Sequence, residues 1–138
     1  MEKIKLLIVD DEEEFAATLA ERLELRGFIS KGVSCGNNAL EALASNFSPD
    51  VVLLDLKMPD MNGFEVLIEI KEKYPSIEVI MLTGHGAASG GKDSKDRGAF
   101  DFIMKPVDIT ELAGKIKAAY EKKTFNSGET ELMRLMVS

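Results

Sequence analysis

The sequence predicts an α/β domain in which a doubly wound parallel sheet carries helices on both faces. Three observations lead there. Strand-like and helix-like stretches alternate five times along the chain. The runs at 4–9, broken only by Lys5, and at 51–54 are apolar, as strands buried on both faces are. The stretches between strands set their large apolar residues at helical spacing, one face each.

Residues 4–9 form the first strand and stop at the acidic pair Asp10-Asp11. A helix follows over 12–26, with Phe15, Leu19 and Leu23 at i, i+4 and i+8 and Gly27 as its stop. Residues 28–33 read as the second strand. Asn37 or Asn38 caps the second helix, which carries Leu40, Leu43 and Phe47 and ends ahead of Pro49. The third strand begins at Val51 and ends at Asp55, because Pro59 forbids continuation and Asn62-Gly63 supplies a turn and a cap. The third helix covers 63–73, with Asn62 three residues ahead of Glu65 in the manner of a capping box. Residues 77–82 form the fourth strand, ending at Thr83, and 100–104 the fifth, ending at Lys105. Asp108 and Glu111 cap the last helix, on which Ile109, Leu112, Ile116, Ala119 and Tyr120 share a face. From 122 to 128 the pattern lapses into a polar linker, and 131–137 has the composition of one more apolar helical turn.

Composition narrows the function. A chain of 138 residues, 45% hydrophobic and 30% charged, suits one globular domain with a real core. Its net charge of -7 and lack of a basic block argue against a nucleic-acid surface. A single cysteine, Cys35, excludes an internal disulfide and a cysteine metal cage. No signal peptide opens the chain and no apolar run approaches a membrane span, so a cytoplasmic protein is expected.

Four of the five strands end in a reactive group: Asp10-Asp11, Asp55, Thr83 and Lys105. In a parallel sheet these ends share one edge, where open α/β sheets keep their chemistry. Three carboxylates cannot sit together ionised without compensation, and Mg2+ is the natural partner for such hard oxygen donors. Lys105 is a point charge suited to a phosphoryl oxygen. Together these groups describe phosphoryl transfer onto a carboxylate. Taken alone, Asp10-Asp11 would read as a helix cap, and Thr83 or Lys105-Pro106 would mean little. It is the conjunction with Asp55 that carries the reading.

These residues give the chain a specific likeness. Asp10-Asp11, the segment Asp-Leu-Lys-Met-Pro-Asp-Met-Asn-Gly at 55–63, Thr83-Gly84, and Gly98-Ala99-Phe100-Asp101-Phe102 leading into Lys105-Pro106 stand in order across residues 3–122. In this the sequence resembles the receiver domains of bacterial two-component response regulators, the CheY-like family. The resemblance implies a flavodoxin-like (βα)5 sheet of strand order 2-1-3-4-5. It implies that Asp55 is the phosphoacceptor, taking its phosphoryl group from a sensor histidine kinase or a phosphotransfer protein. Asp11, Asp55 and the backbone carbonyl of Lys57 would bind Mg2+, with Asp10 acting directly or through a water. Thr83 and Lys105 would each contact a phosphoryl oxygen, and the Lys105-Pro106 bond would be cis. Thr83 and Phe102 would form the switch, phenylalanine lacking the hydroxyl that a tyrosine there would offer a partner. Lys57 and His85 stand two residues past Asp55 and Thr83, at positions that tune phosphate lifetime; an exposed loop histidine without a role is the alternative. Such a domain catalyses its own phosphorylation and dephosphorylation but is no enzyme on an external substrate. It acts on an output domain or a second copy of itself, touching neither nucleic acid nor membrane directly. The motifs around Thr83 and Phe102 look most like receivers attached to enhancer-binding AAA+ activators. The receiver would occupy 1–122, and 123–138 would be a C-terminal tail or the start of a linker.

One stretch departs from the family. Between Thr83 and Phe100 the segment 87–97 holds no large apolar residue, and Gly90-Gly91 costs roughly 2 kcal/mol of helix propensity against alanines. The Gly-rich fourth helix is therefore expected to be short, displaced or mobile. In the tail, Leu132, Met133, Leu135, Met136 and Val137 are expected to cover apolar surface on this domain or on a second copy. Two rival functions stay open. A Mg2+-dependent phosphohydrolase would need Asp-x-Asp-x-Thr after the first strand, where this chain has Asp10-Asp11-Glu12-Glu13-Glu14. A binding-only receiver would keep the site yet signal through dimerisation or docking without phosphorylation; the odd fourth helix keeps that reading alive, while the presence of every acceptor-site residue favours phosphorylation.

Overall fold

The computed structural model describes residues 3–84 and 94–137, and for 125–137 the backbone alone. The elements are β1 (Lys5–Val9), α1 (Glu13–Leu25), β2 (Ile29–Val33), α2 (Gly36–Ala44), β3 (Val51–Asp55), α3 (Gly63–Lys73), β4 (Glu78–Thr83), β5 (Asp101–Met104) and α4 (Ile109–Val137). The strands make one sheet in the order β2-β1-β3-β4-β5, and every pairing is parallel. This is the flavodoxin-like arrangement that the resemblance implied.

Side chains alternate across each strand, so the apolar runs feed two cores. Leu6, Ile8, Leu53, Ile80, Leu82 and Ile103 point to the face that α1 and α4 cover with Leu19, Leu23, Leu112 and Ile116. Leu7, Val9, Val52, Leu54, Val79 and Met81 point to the face that α2 and α3 cover with Leu43, Val66, Leu67 and Ile70. All of β3 is buried. Burying both faces of the three central strands accounts for the unbroken apolar stretches within them, at 6–9, 51–54 and 79–82.

The helix caps correct one expectation. Asn62 caps α3 as predicted, its side chain accepting the Phe64 N–H at 2.8 Å. Asp108 caps α4, accepting the N–H groups of Thr110 and Glu111. α2, however, starts at Gly36 rather than after an asparagine, and Cys35 at its N-cap makes no side-chain hydrogen bond. The first-turn N–H groups of α2 are met instead by Asp60, from the β3–α3 loop. A cap supplied from so far along the chain leaves no local mark, and either asparagine would have fitted the pattern equally well.

The C-terminal region differs too. The predicted polar linker over 122–128 is helical, and α4 continues to Val137. Extending a formed helix costs far less than starting one, and no proline interrupts the stretch. Two ion pairs also seat the helix where the apolar pattern fades: Lys122 lies 3.4 Å from Glu78, and Lys123 2.6 Å from Asp50. Among the described residues no helix is long and apolar enough to cross a membrane. Of the unusual segment before β5, 85–93 lie outside the described residues, and the expectation for the Gly-rich fourth helix falls there. From Ser94 on, one helical turn leads through Gly98 into β5. That turn is tied to α3, where Arg97 stacks 4.5 Å from the centre of the Phe64 ring.

Candidate functional site

The carboxyl ends of β1, β3, β4 and β5 deliver Asp10, Asp55, Thr83 and Lys105 to one edge of the sheet, with Asp11 one residue past Asp10. Asp10 is fully buried, Asp55 nearly so, and Asp11 is exposed. Each of the three carboxylates brings an oxygen within 4.8 Å of the other two. Lys105 reaches into the cluster from the cis Lys105-Pro106 bond. Its Nζ lies 2.8 Å from Asp10, 3.1 Å from Glu12 and 3.7 Å from Asp55, and 4.6 Å from the centre of the Phe15 ring.

The β3–α3 loop is built to turn hard behind Asp55. The Gly63 N–H donates to the Leu56 carbonyl at 2.8 Å, and Lys57 pairs with Asn62 across the base of the loop. A Cβ on Gly63 would stand 2.4 Å from the Asp55 carbonyl oxygen. Only glycine permits that approach.

The electrostatics follow from burial and like charge. Burial and the neighbouring Asp10 push the Asp55 carboxyl up to about 6, against the pull of Lys105 and the Lys57 N–H. Lys105 is shifted upward: burial alone would lower it, but Asp10, Glu12 and Asp55 outweigh that. Thr83 presents a buried hydroxyl with no hydrogen-bond partner among the described residues. Such a group is costly to leave unmade, and an incoming oxygen would satisfy it.

The chain matches the family model described as "Response regulator receiver domain" over residues 6–117. It belongs to the response regulator receiver family. Among curated relatives, the "DNA-binding transcriptional regulator NtrC" of Proteus hauseri is 35% identical over 96% of this chain and 28% of its own length. The "Photosynthetic apparatus regulatory protein RegA" of Rhodobacter capsulatus is 34% identical over 84% of this chain and 62% of its own. The chain thus spans less than two thirds of the curated relatives it matches. Among solved structures, a receiver domain protein from Clostridium thermocellum is 34% identical, with a TM-score of 0.84 over 88% of this chain and 98% of that one. NtrX from Brucella abortus, in complex with ADP, is 28% identical, with a TM-score of 0.89 over 95% of this chain and 30% of that one. As a receiver domain, the chain is a signalling module of the CheY-like, two-component type.

Within this receiver, Phe102 on β5 is half-buried and packs against the core that α2 and α3 cover, with the Lys95 ammonium 5.9 Å from its ring centre. Its neighbour Asp101 is held by Lys115 at 2.6 Å and Lys95 at 3.5 Å. Burial would raise the Asp101 carboxyl, but Lys115, the Phe102 N–H and Lys95 take it below its ordinary value. Lys57 is exposed on the loop, and His85 lies outside the described residues. Sequence reasoning missed two participants. Glu12, which opens the run Glu12-Glu13-Glu14 at the start of the first helix, pairs with Lys105; its place directly after the acidic pair was the available signal. Asp60 went unremarked and has no local signal at all. An open cleft of ≈ 810 Å³ runs from Asp11, Asp55 and Lys105 along Phe15, Leu19 and Pro106.

Proposed function

We propose that this receiver accepts a phosphoryl group on Asp55 from a phosphohistidine of a sensor kinase or phosphotransfer protein, in the cytoplasm. The observation that carries this reading is the convergence of Asp10, Asp11 and Asp55 with Lys105 around one sheet edge. Even with its carboxyl raised to about 6, Asp55 is mostly ionised at pH 7 and able to act as nucleophile. Its oxygen attacks phosphorus in line, the P–N bond to the donor imidazole breaks, and an acyl phosphate forms on Asp55. Lys105 turns from its carboxylate partners to a phosphoryl oxygen, and the Thr83 hydroxyl donates to another.

Three carboxylates facing one ammonium leave an excess of negative charge, so hard oxygen donors and local charge both fit Mg2+. Asp10, Asp11, Asp55 and the Lys57 carbonyl would hold the ion, which when bound neutralises phosphoryl oxygens. Engagement of Thr83 draws its strand end inward, and the Phe102 ring follows into the space vacated. The face around β5 then presents a different surface to an output domain or a second copy of the chain. The open cleft, with Phe15, Leu19 and Pro106 along its wall, suits the donor's apolar helix face. Dephosphorylation uses the same residues with water, so the module turns over its own phosphate and no external substrate.

Incubation with Mg2+ and acetyl phosphate, followed by intact mass, tests the reading. Expected is a gain of one phosphoryl group that needs Mg2+ and is lost in Asp55→Asn. A folded protein that gains nothing would turn the assignment toward docking without phosphorylation.

A further inference from the structure

The β3–α3 loop carries Lys57 directly behind Asp55, so its shape decides where the Lys57 carbonyl stands. Its base is closed by backbone bonds, the Lys57–Asn62 bridge and the Gly63 N–H to Leu56 carbonyl. Its tip, Pro59 to Met61, is exposed or half-exposed. Among the described residues, the polar tether from that tip to another element is the Asp60 carboxylate. Oδ1 accepts the Gly36 N–H at 3.1 Å and Oδ2 accepts the Asn37 N–H at 2.9 Å.

These two donors open α2, which has no cap of its own and no acidic residue in its first turn. A carboxylate bridging two orphan N–H groups satisfies them more strongly than a neutral cap does. The approach is close: a Cβ on Gly36 would stand 3.0 Å from the Met61 Cβ and 3.0 Å from Val66 Cγ2. Glycine at the start of α2 and aspartate at the loop tip therefore make one joint. The Asn37 N–H first, and the Gly36 N–H with it, hold the Asp60 carboxyl below its ordinary value, so it is charged wherever the domain works.

We propose that Asp60 is a positioning residue for the acceptor site, capping α2 from outside and thereby fixing the loop that carries the Lys57 carbonyl. The link to Mg2+ rests on the function proposed above; the tether itself does not. Removing Asp60 frees the loop tip as well as the helix start, and only the second of these can be repaired locally. Cys35→Ser offers that repair, since a serine at the N-cap accepts a first-turn N–H from within the helix.

The test compares wild type, Asp60→Ala, Asp60→Asn and Cys35→Ser/Asp60→Ala as full chains. Hydrogen exchange by mass spectrometry is read without metal on peptides covering 56–62 and 36–44, and Mg2+ affinity by calorimetry. Asp60→Ala is expected to speed exchange in both segments. The double variant recovers protection in α2 while the loop still exchanges about three- to tenfold faster, and Mg2+ binds more weakly by a similar factor. Asp60→Asn, which keeps one acceptor oxygen, falls between wild type and Asp60→Ala in loop exchange. Loop exchange at the wild-type rate in Asp60→Ala, or restored together with α2 in the double variant, would overturn the tether and leave Asp60 a plain cap. If loop exchange separates the variants as expected but wild type gives no Mg2+ heat, the tether stands and the Mg2+ reading fails.

Discussion

The Asp55 carboxyl sits where its charge is disfavoured, buried and beside Asp10, and its value of about 6 has a consequence for stability. Because the folded value lies above the unfolded 3.8, the native state holds the proton over that interval more tightly than the unfolded chain. Stability from this group is full below about pH 4 and is lost as pH rises through about 6. At pH 7.5 without divalent ions, Asp55→Asn is therefore expected to be more stable than wild type by about 1–3 kcal/mol, a gap that closes toward pH 4. Urea unfolding at the two pH values checks it; an equal gap at both would show that the carboxyl is not shifted. Thr83 makes a related case. Its buried hydroxyl has no partner among the described residues, so Thr83→Val is expected to leave the fold as stable or to gain up to about 1 kcal/mol. The same change should slow phosphorylation by acetyl phosphate, measured by mass against time. A large loss of stability instead would mean that the hydroxyl already has a structural partner.

At the scale of elements, two glycines with opposite surroundings separate close approach from mere presence. Gly63 opens α3 with the Asp55 carbonyl oxygen 2.4 Å and the Leu56 Cα 2.8 Å from where a Cβ would go. Both neighbours are backbone and cannot swing aside, so Gly63→Ala is expected to cost about 1–3 kcal/mol or more and to distort the β3–α3 loop. Gly114 lies on the exposed side of α4, with nothing within 4 Å of a Cβ. Gly114→Ala should gain about 0.5–1 kcal/mol from helix propensity alone. Thermal unfolding of the two variants in parallel decides whether the assigned surroundings are right. The contrast also bears on what the sequence could reveal. Strand ends were legible because an apolar run stopping at Asp, Thr or Lys is a local pattern, and the parallel sheet then brings those ends together. The α3 cap was legible for the same reason. The α2 cap was not, since Asp60 lies 24 residues from Gly36 and nothing local distinguishes it from any loop aspartate.

At the scale of the whole molecule, the length of α4 was the feature least legible in sequence, because its seat is electrostatic where the apolar stripe ends. Leu112, Ile116 and Ala119 are fully buried against the sheet, and beyond them Lys122 and Lys123 take over. Lys122 pairs with Glu78 on β4, a carboxylate that is nearly buried and also held by Lys71 of α3 at 3.2 Å. Lys123 pairs with Asp50, whose other oxygen accepts the Lys5 N–H at 2.9 Å where β1 begins. One short stretch of helix thus joins the starts of β1, β3 and β4 at the edge opposite the carboxylate cluster. Two truncated chains isolate its contribution. A chain ending at Thr124 keeps both lysines; a chain ending at Glu121 loses them and leaves Glu78 with Lys71 alone. The shorter chain is expected to be less stable by about 1–2 kcal/mol, more than surface ion pairs give because Glu78 and Asp50 are largely shielded from water. Half a molar of sodium chloride should narrow the gap only in part, screening reaching the exposed Lys122 more than the shielded carboxylates. Equal melting temperatures for the two chains would mean that α4 is held by its apolar face alone, and that the helix beyond Tyr120 is a passenger on the domain rather than a part of it.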